Sequence, residues 1–151
     1  ETGDFVQGEA YLSRMIGPGS QPVLQTNLMA NSLGAQLIPI IYRITGEVSH
    51  IDYAEAAAQI ALSSPYAAPI FRMTIHLGLG ILAGQRSDAR MAAELYAELE
   101  PNRNSMATNF QTVDRTLGIL AQTMGNSDLA AIHFKDALAF CRKAGYRPEL
   151  A

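Results

Sequence analysis

Three histidines and one cysteine are the side chains best suited to metal or nucleophilic chemistry: His50, His76, His133 and Cys141. His133 and Cys141 lie eight residues apart on one predicted helix, so about 12 Å separates them along its axis. Two ligands of one metal ion lie closer than that, and no other pair of these residues has zinc-site spacing. We therefore predict no metal site. We expect His50 in a capping turn, His76 beside a helix-packing seam and His133 on a partly exposed face.

The carboxylates form two groups along the sequence: Glu94, Glu98 and Glu100, and then Asp128 and Asp136. A glycosidase-type pair needs two carboxylates across a cleft, one of them with a raised pKa. Glu94 and Glu98 are one helical turn apart, which predicts a solvated acidic face instead. No serine lies in a nucleophile-elbow sequence, and no phosphate-binding loop occurs. We predict that this chain is not an enzyme and has no catalytic residues.

The stretch Gly78-Leu79-Gly80-Ile81-Leu82-Ala83 formally matches the glycine pattern of dinucleotide-binding turns. That pattern binds a pyrophosphate only between a strand and the start of a helix. Here it lies near the end of a predicted helix. We interpret these glycines as sites of close helix packing and predict no cofactor.

The composition favours helices to position these side chains. Only 17% of the 151 residues are charged, 48% are hydrophobic, and the net charge of −3 gives no basic surface for nucleic acid. The chain contains 23 Ala and 16 Leu against 4 Val, and Ala and Leu favour helices whereas Val favours strands. The uncharged stretch 15–42 is interrupted by Gly, Pro, Gln and Asn, so we predict no membrane span.

Turn signals divide the chain into helices. The predicted helices run from Asp4 to Ile16, from about Val23 or later to Thr45 with a kink or break at Pro39, from a cap at 49–52 to about Leu62, from Pro65 to Ala83, from Ser87-Asp88 to near Glu100-Pro101, from about Ser105 to Met124, and from a cap at 126–128 to Gly145. No convincing alternating stretch predicts a strand.

A repeat of about 40 residues is visible at the predicted turns. Gly46, Gly84 and Gly125 follow one another at steps of 38 and 41 residues. Similar residues recur at fixed offsets behind them: Ile51, Ala89 and Ala130, then Ala58, Tyr96 and Ala137, then Pro65, Pro101 and Pro148. A two-helix unit at this period predicts an α-solenoid, because one hairpin cannot bury its apolar face alone.

The last unit resembles a tetratricopeptide repeat. The residues that carry the match are Leu117, Gly118, Gly125, Ala130, Phe134 and Ala137. Asp114 stands where that repeat normally opens with an aromatic residue, and the final Pro148 comes late. The resemblance implies a divergent form with long helices.

Longer stretches, 114–121, 130–139 and 145–148, resemble the carboxy-terminal helical repeats of large bacterial signalling proteins. In that family a nucleotide-binding ATPase module precedes the repeats, and some members carry a class III adenylate or guanylate cyclase domain or a LuxR-type DNA-binding domain. The resemblance covers roughly residues 30–151. This chain contains none of the ATPase or cyclase signatures, so any such activity belongs to other domains.

Together these patterns predict an all-α fold, an α-α superhelix of the tetratricopeptide type. It consists of about three helix hairpins plus a leading helix, in one domain over residues 1–151. The chain starts at Glu1 rather than Met, and we expect it to be a fragment of a larger cytoplasmic, bacterial multi-domain protein. The resemblance implies a non-catalytic interaction or regulatory module in signal transduction or transcription regulation. The alternative is an effector sensor that binds a small molecule and controls an attached output domain.

In stacked hairpins the first helix of each unit lines a concave groove. Helical spacing projects the following candidates for partner binding into that groove: Gln36, Arg43, Thr74, Arg115 and Gln122. Arg43 and Arg115 are suited to binding a carboxylate, because a guanidinium is a forked donor. We expect a protein or peptide partner, or another domain of the same polypeptide. Self-association through an exposed terminal hairpin is a further expectation.

Overall fold

A computed structural model describes residues 27–46, 50–107 and 111–146. These residues form six α-helices: α1 (Leu28–Thr45), α2 (Ile51–Ser63), α3 (Pro69–Arg86), α4 (Ala89–Leu99), α5 (Val113–Thr123) and α6 (Ser127–Ala144). A short 3-10 helix (Glu100–Asn102) follows α4, and two short antiparallel strands, β1 (Met106–Ala107) and β2 (Gln111–Thr112), precede α5. The predicted helix Asp4 to Ile16 lies outside the described residues.

The helices pack as antiparallel pairs, and the predicted all-α class is confirmed. α1 pairs with α2, α3 with α4, and α5 with α6. α3 also packs against both α1 and α5, so it lies at the centre of the described fold. None of the described helices is both long enough and apolar enough to span a bilayer.

Three groups of buried side chains stabilise the pairs on either side of α3. Two of them join the first pair to α3: one is Ile38, Ile51, Ala54 and Leu82, and the other is Ala35, Ala58, Ala61 and Ile75. The third and largest group joins α3 to the later helices: Leu77, Ala83, Ala92, Leu95, Leu99, Ala107, Val113, Leu117 and Leu120. The apolar positions recur every three or four residues along each helix, which explains why the sequence pattern predicts the helices well.

Most predicted helix boundaries are confirmed by their caps. Gly46 and Gly145 adopt the left-handed conformation that ends α1 and α6, where the lack of a side chain removes the steric cost. Asp88 caps α4 and Asn126 caps α6, each accepting a hydrogen bond from a backbone N–H three residues ahead. Pro39 lies within α1, as expected.

Two predicted boundaries of α3 are wrong. α3 begins at Pro69, not Pro65, because residues after α2 form a turn before the helix starts. α3 continues past Gly84 to Arg86, and Ser87 takes the left-handed turn position instead. α2 begins at Ile51, after His50, which lies in a turn as expected and makes no side-chain capping bond; Ser49 lies outside the described residues.

The predicted helix from Ser105 to Met124 is also wrong in its first half. The strand pair occupies that part of the chain, with Met106 opposite Thr112 and Ala107 opposite Gln111. Thr112 then caps α5, accepting a hydrogen bond from the backbone N–H of Arg115. A side-chain cap of this kind starts the helix at Val113 rather than eight residues earlier.

Glycines on α3 allow its neighbours to approach closely. A Cβ atom on Gly78 would overlap the backbone of α1 at Ala35 and lie 2.6 Å from the Cα of Gln36. On the opposite side of α3, a Cβ on Gly80 would press on Thr116 of α5. The interpretation of this glycine pattern as close helix packing is therefore confirmed.

Candidate functional site

An open groove of about 620 Å³ lies between α3 and α4, with Leu62 of α2 and Asn102 also bordering it. Its apolar floor combines Met73 and Leu79 of α3 with Met91 and Leu95 of α4. α2 and α4 do not pack closely against each other, so this face of α3 remains accessible between them. We call this surface the α3–α4 groove.

The two edges of the α3–α4 groove carry different charges. Arg72 and His76 lie one turn apart on α3, and Glu94 and Glu98 lie one turn apart on α4. Burial lowers the pKa of His76 below its usual value, although the negative charge of Glu98 opposes that shift and Arg72 adds to it. The α3 edge therefore contributes one full positive charge at neutral pH against two carboxylates on α4.

The five residues predicted to line the concave groove differ in their exposure to solvent. Gln36 and Thr74 are buried rather than exposed, and the Thr74 hydroxyl donates to the carbonyl oxygen of Ile70 at 2.8 Å. Arg43 and Gln122 are exposed, and Arg115 is partly buried. The positions of Gln36 and Thr74 correct the sequence projection.

Gln36 and Thr74 are buried because α1 and α3 are in close contact. Gly78 rests on the backbone of Ala35 and Gln36, so the line of residues that includes Thr74 and Gly78 faces a neighbouring helix instead of solvent. Spacing along one helix identifies a face, but it does not show which neighbour covers that face.

Arg43 and Arg115 come within electrostatic range of each other, although α1 and α5 flank α3 on different sides. Burial lowers the pKa of the Arg43 guanidinium, and the positive charge of Arg115 lowers it further. Two of the five predicted residues, which we call the arginine pair, thus influence each other electrostatically. An anion that reached both guanidinium groups would relieve this repulsion.

A second cluster of polar side chains, which we call the polar node, consists of Tyr96, Asp114 and His133. His133 Nδ1 lies 3.1 Å from Asp114 Oδ1, and His133 Nε2 lies 2.7 Å from Tyr96 Oη. The other Asp114 oxygen accepts the backbone N–H of Asn104. His133 is 2% exposed and Asp114 1%, so the expectation of a partly exposed His133 is wrong.

Both contacts of His133 are satisfied by the neutral tautomer that carries its proton on Nδ1. In that tautomer Nδ1–H donates to the Asp114 carboxylate, and Nε2 accepts from the Tyr96 hydroxyl. Burial raises the pKa of Tyr96, and the negative charge of Glu100 contributes. The node joins α4, α5 and α6 through hydrogen bonds between side chains of the three helices.

Sequence reasoning missed the polar node because its members lie on three helices. Tyr96 and His133 are 37 residues apart, and Asp114 and His133 are 19 apart. One signal was present: Asp114 occupies the position at which a tetratricopeptide repeat normally has an aromatic residue. A carboxylate at a buried repeat position needs a buried donor, and His133 supplies it.

Among the described residues, no group of three His, Cys, Asp or Glu side chains is arranged to hold a metal ion. Comparisons with protein-family models, with curated proteins and with solved structures find no match for this chain. The features of the described residues that bear on function are the α3–α4 groove, the arginine pair and the polar node.

Proposed function

We propose that this chain is a non-catalytic interaction module of the tetratricopeptide type, which binds a segment of a partner protein in the α3–α4 groove. The observation that carries the proposal is the combination of an open apolar floor with charged edges. Protein interfaces commonly have an apolar centre that excludes water and a polar rim that sets orientation. The partner is another protein or another domain of the same polypeptide.

The packing of the helices supports a repeat module. α3 contacts α1 and α5, the first helices of the pairs on either side, through glycines on its two faces. Stacked hairpins that share a core require such contacts. In a larger signalling protein, a module of this kind would hold a regulatory partner while other domains carry out the chemistry.

The shape of the groove favours a protein segment over a small molecule. Sites for small molecules enclose most of the ligand surface, whereas the α3–α4 groove is open to solvent. A peptide gains affinity from several anchors along an open groove and does not need enclosure.

Selection from a randomised peptide display library tests this function. We expect wild-type protein to enrich peptides whose binding is lost in Met91→Lys, which places a charge on the groove floor. Ile132→Lys is the matched control, because Ile132 is an exposed apolar residue on α6 outside the groove. Thermal melting confirms that both variants fold. Peptides that bind Met91→Lys as tightly as wild type would contradict the groove as the binding site.

The arginine pair favours a second candidate function, an effector sensor. A small carboxylate or phosphate held by Arg43 and Arg115 would tie α1 to α5 across α3, and ligand binding to one arrangement would shift the population toward it. A thermal-shift screen with anionic metabolites measures this: a saturable rise in melting temperature supports the sensor. The rise should disappear in Arg43→Ala and Arg115→Ala, and a rise that persists in both variants would exclude this site.

A further inference from the structure

We propose that the segment bound in the α3–α4 groove is an amphipathic helix with lysine or arginine along the edge that lies beside α4. This inference rests on the proposed interaction function and adds the chemistry of the partner. It depends on the kind of backbone that borders the groove, on the flexibility of its floor and on the charges of its two edges.

The groove is bordered by helices throughout. Its lining residues belong to α2, α3, α4 and the 3-10 helix after α4. A partner strand docks by adding to the free edge of a sheet, and none of these elements offers such an edge. Proline-rich segments dock in grooves lined by aromatic rings and phosphorylated motifs dock on arginine clusters, whereas the described residues of this lining include a single arginine and no Phe, Tyr or Trp. An apolar groove between helices fits a helix that lays its apolar face into it, with anchors at positions i, i+3 or i+4, and i+7.

The floor is suited to the side chains of such a helix. Met73 and Met91 face it from opposite walls, next to Leu79 and Leu95. Methionine is unbranched and polarisable, and it adapts to apolar side chains of different shapes. This floor favours leucine, isoleucine or phenylalanine anchors on the partner without selecting one of them.

The acidic edge fixes the charge of the partner. Glu94 and Glu98 are exposed and one turn apart on α4. Arg90 comes within 3.9 Å of Glu94, but their side chains are 88% and 66% exposed, and a pair in that much solvent contributes little. Cations spaced one turn apart on a docked helix would meet both carboxylates.

The opposite edge does not offset this preference. Arg72 Nε donates to the carbonyl oxygen of Ala67 at 3.3 Å, which holds the guanidinium on the α3 side. His76, the next titratable group on that edge, has a pKa lowered mainly by burial and is neutral at physiological pH. The charge pattern is therefore asymmetric across the groove, and it orients the partner as well as selecting it.

A display library of amphipathic helical peptides of about 12 residues tests the inference. The apolar face is kept as leucine, and the two flanking positions on each side are varied among Lys, Asn and Asp. We expect enrichment of lysine on one flank. The selected peptides should bind the double variant Glu94→Gln/Glu98→Gln about fivefold more weakly, the effect of losing two exposed charge pairs. The loss should shrink at high salt.

The double variant Asp52→Asn/Asp128→Asn is the matched control, because it removes two exposed carboxylates outside the groove. Its affinity should equal that of wild type, and an equal loss would overturn the inference in favour of a general charge effect. Peptides that need Met91 but carry Asp or Asn at the flanks would overturn the charge inference and leave the groove function standing. No enrichment above background, or enrichment unaffected by Met91→Lys, would overturn both.

Discussion

Two contacts between helices are built in different ways. Between α1 and α3 the approach is close, and Gly78 rests directly on the backbone of Ala35. The last pair of helices is joined to α4 through the polar node, where Tyr96, His133 and Asp114 share hydrogen bonds. The first contact depends on a missing side chain, and the second depends on every partner being present.

Substitutions should destabilise the α1–α3 contact and the polar node for opposite reasons. A close contact between backbones is destabilised by added volume, because neither backbone can move without disturbing its helix. A buried polar network is destabilised by deletion, because each remaining donor or acceptor loses its partner away from water. Four variants or conditions separate these behaviours.

The largest effect should come from Asp114→Ala. It leaves His133 Nδ1–H and the Asn104 N–H without their acceptor in the core, and we expect the free energy of unfolding to fall by about 3 kcal/mol. Urea denaturation measures it. Asp136→Ala is the control, because Asp136 pairs with Arg103 at 3.6 Å near the surface and should cost less than about 1 kcal/mol. Equal losses in the two variants would show that the node is no more important than a surface pair.

Gly78→Ala should come next, at about 2 kcal/mol. The added methyl group meets the backbone of α1, and this outweighs the gain of about 1 kcal/mol in helix propensity. Gly34→Ala is the control within a helix, because the nearest atom to its methyl group would be the Cε1 of the Tyr53 ring at 3.3 Å, which a small shift of that ring accommodates. Its stability should stay within about 1 kcal/mol of wild type. A Gly78→Ala protein as stable as Gly34→Ala would disprove the rigid contact.

The same contrast explains what sequence could and could not predict. Helices and caps follow from local patterns, so Gly46 predicts the end of α1, and Asp88 and Asn126 predict the starts of α4 and α6. Gly84 was misassigned because a glycine that ends a helix and a glycine that contacts a neighbouring helix look the same in sequence. The strand pair before α5 was missed because two-residue strands leave no alternating pattern.

The functional surfaces were harder to predict for a related reason. Gln36 and Thr74 were assigned to an exposed face, yet the close approach at Gly78 covers that face with a neighbouring helix. Residues of the α3–α4 groove were recognised only singly, His76 as a seam residue and Glu94 and Glu98 as a solvated face. Which helices leave a gap between them is a property of tertiary packing, and no spacing within one helix encodes it.

A smaller effect should follow Tyr96→Phe, which tests the outer end of the polar node. The change removes the hydroxyl that is hydrogen-bonded to His133 Nε2 but keeps the ring, whose centroid lies 5.6 Å from that of His133. We expect a loss of about 1 kcal/mol in the free energy of unfolding, the usual net value of one hydrogen bond. The double variant Tyr96→Phe/Asp114→Ala should lose less than the sum of the single losses, because both bonds belong to one network. Additive losses would show two independent contacts instead.

The smallest effect should concern His76 in the α3–α4 groove. His76 is partly buried, as the α1–α3 contact is, and it faces the charged groups Glu98 and Arg72, so it combines features of the two contacts. Because burial lowers its pKa in the folded protein, the unfolded chain binds the proton first as pH falls through the ordinary value near 6.5. His76 therefore costs no stability above that pH and destabilises the fold progressively below it. The free energy of unfolding of His76→Gln relative to wild type, measured at several pH values, should rise as the pH falls from neutrality to the lowered pKa. Since neutral imidazole is the form in both states at higher pH, the relative stability there is the internal reference. A relative free energy of unfolding that does not change with pH would show that water in the groove solvates His76 as well in the folded protein as in the unfolded chain.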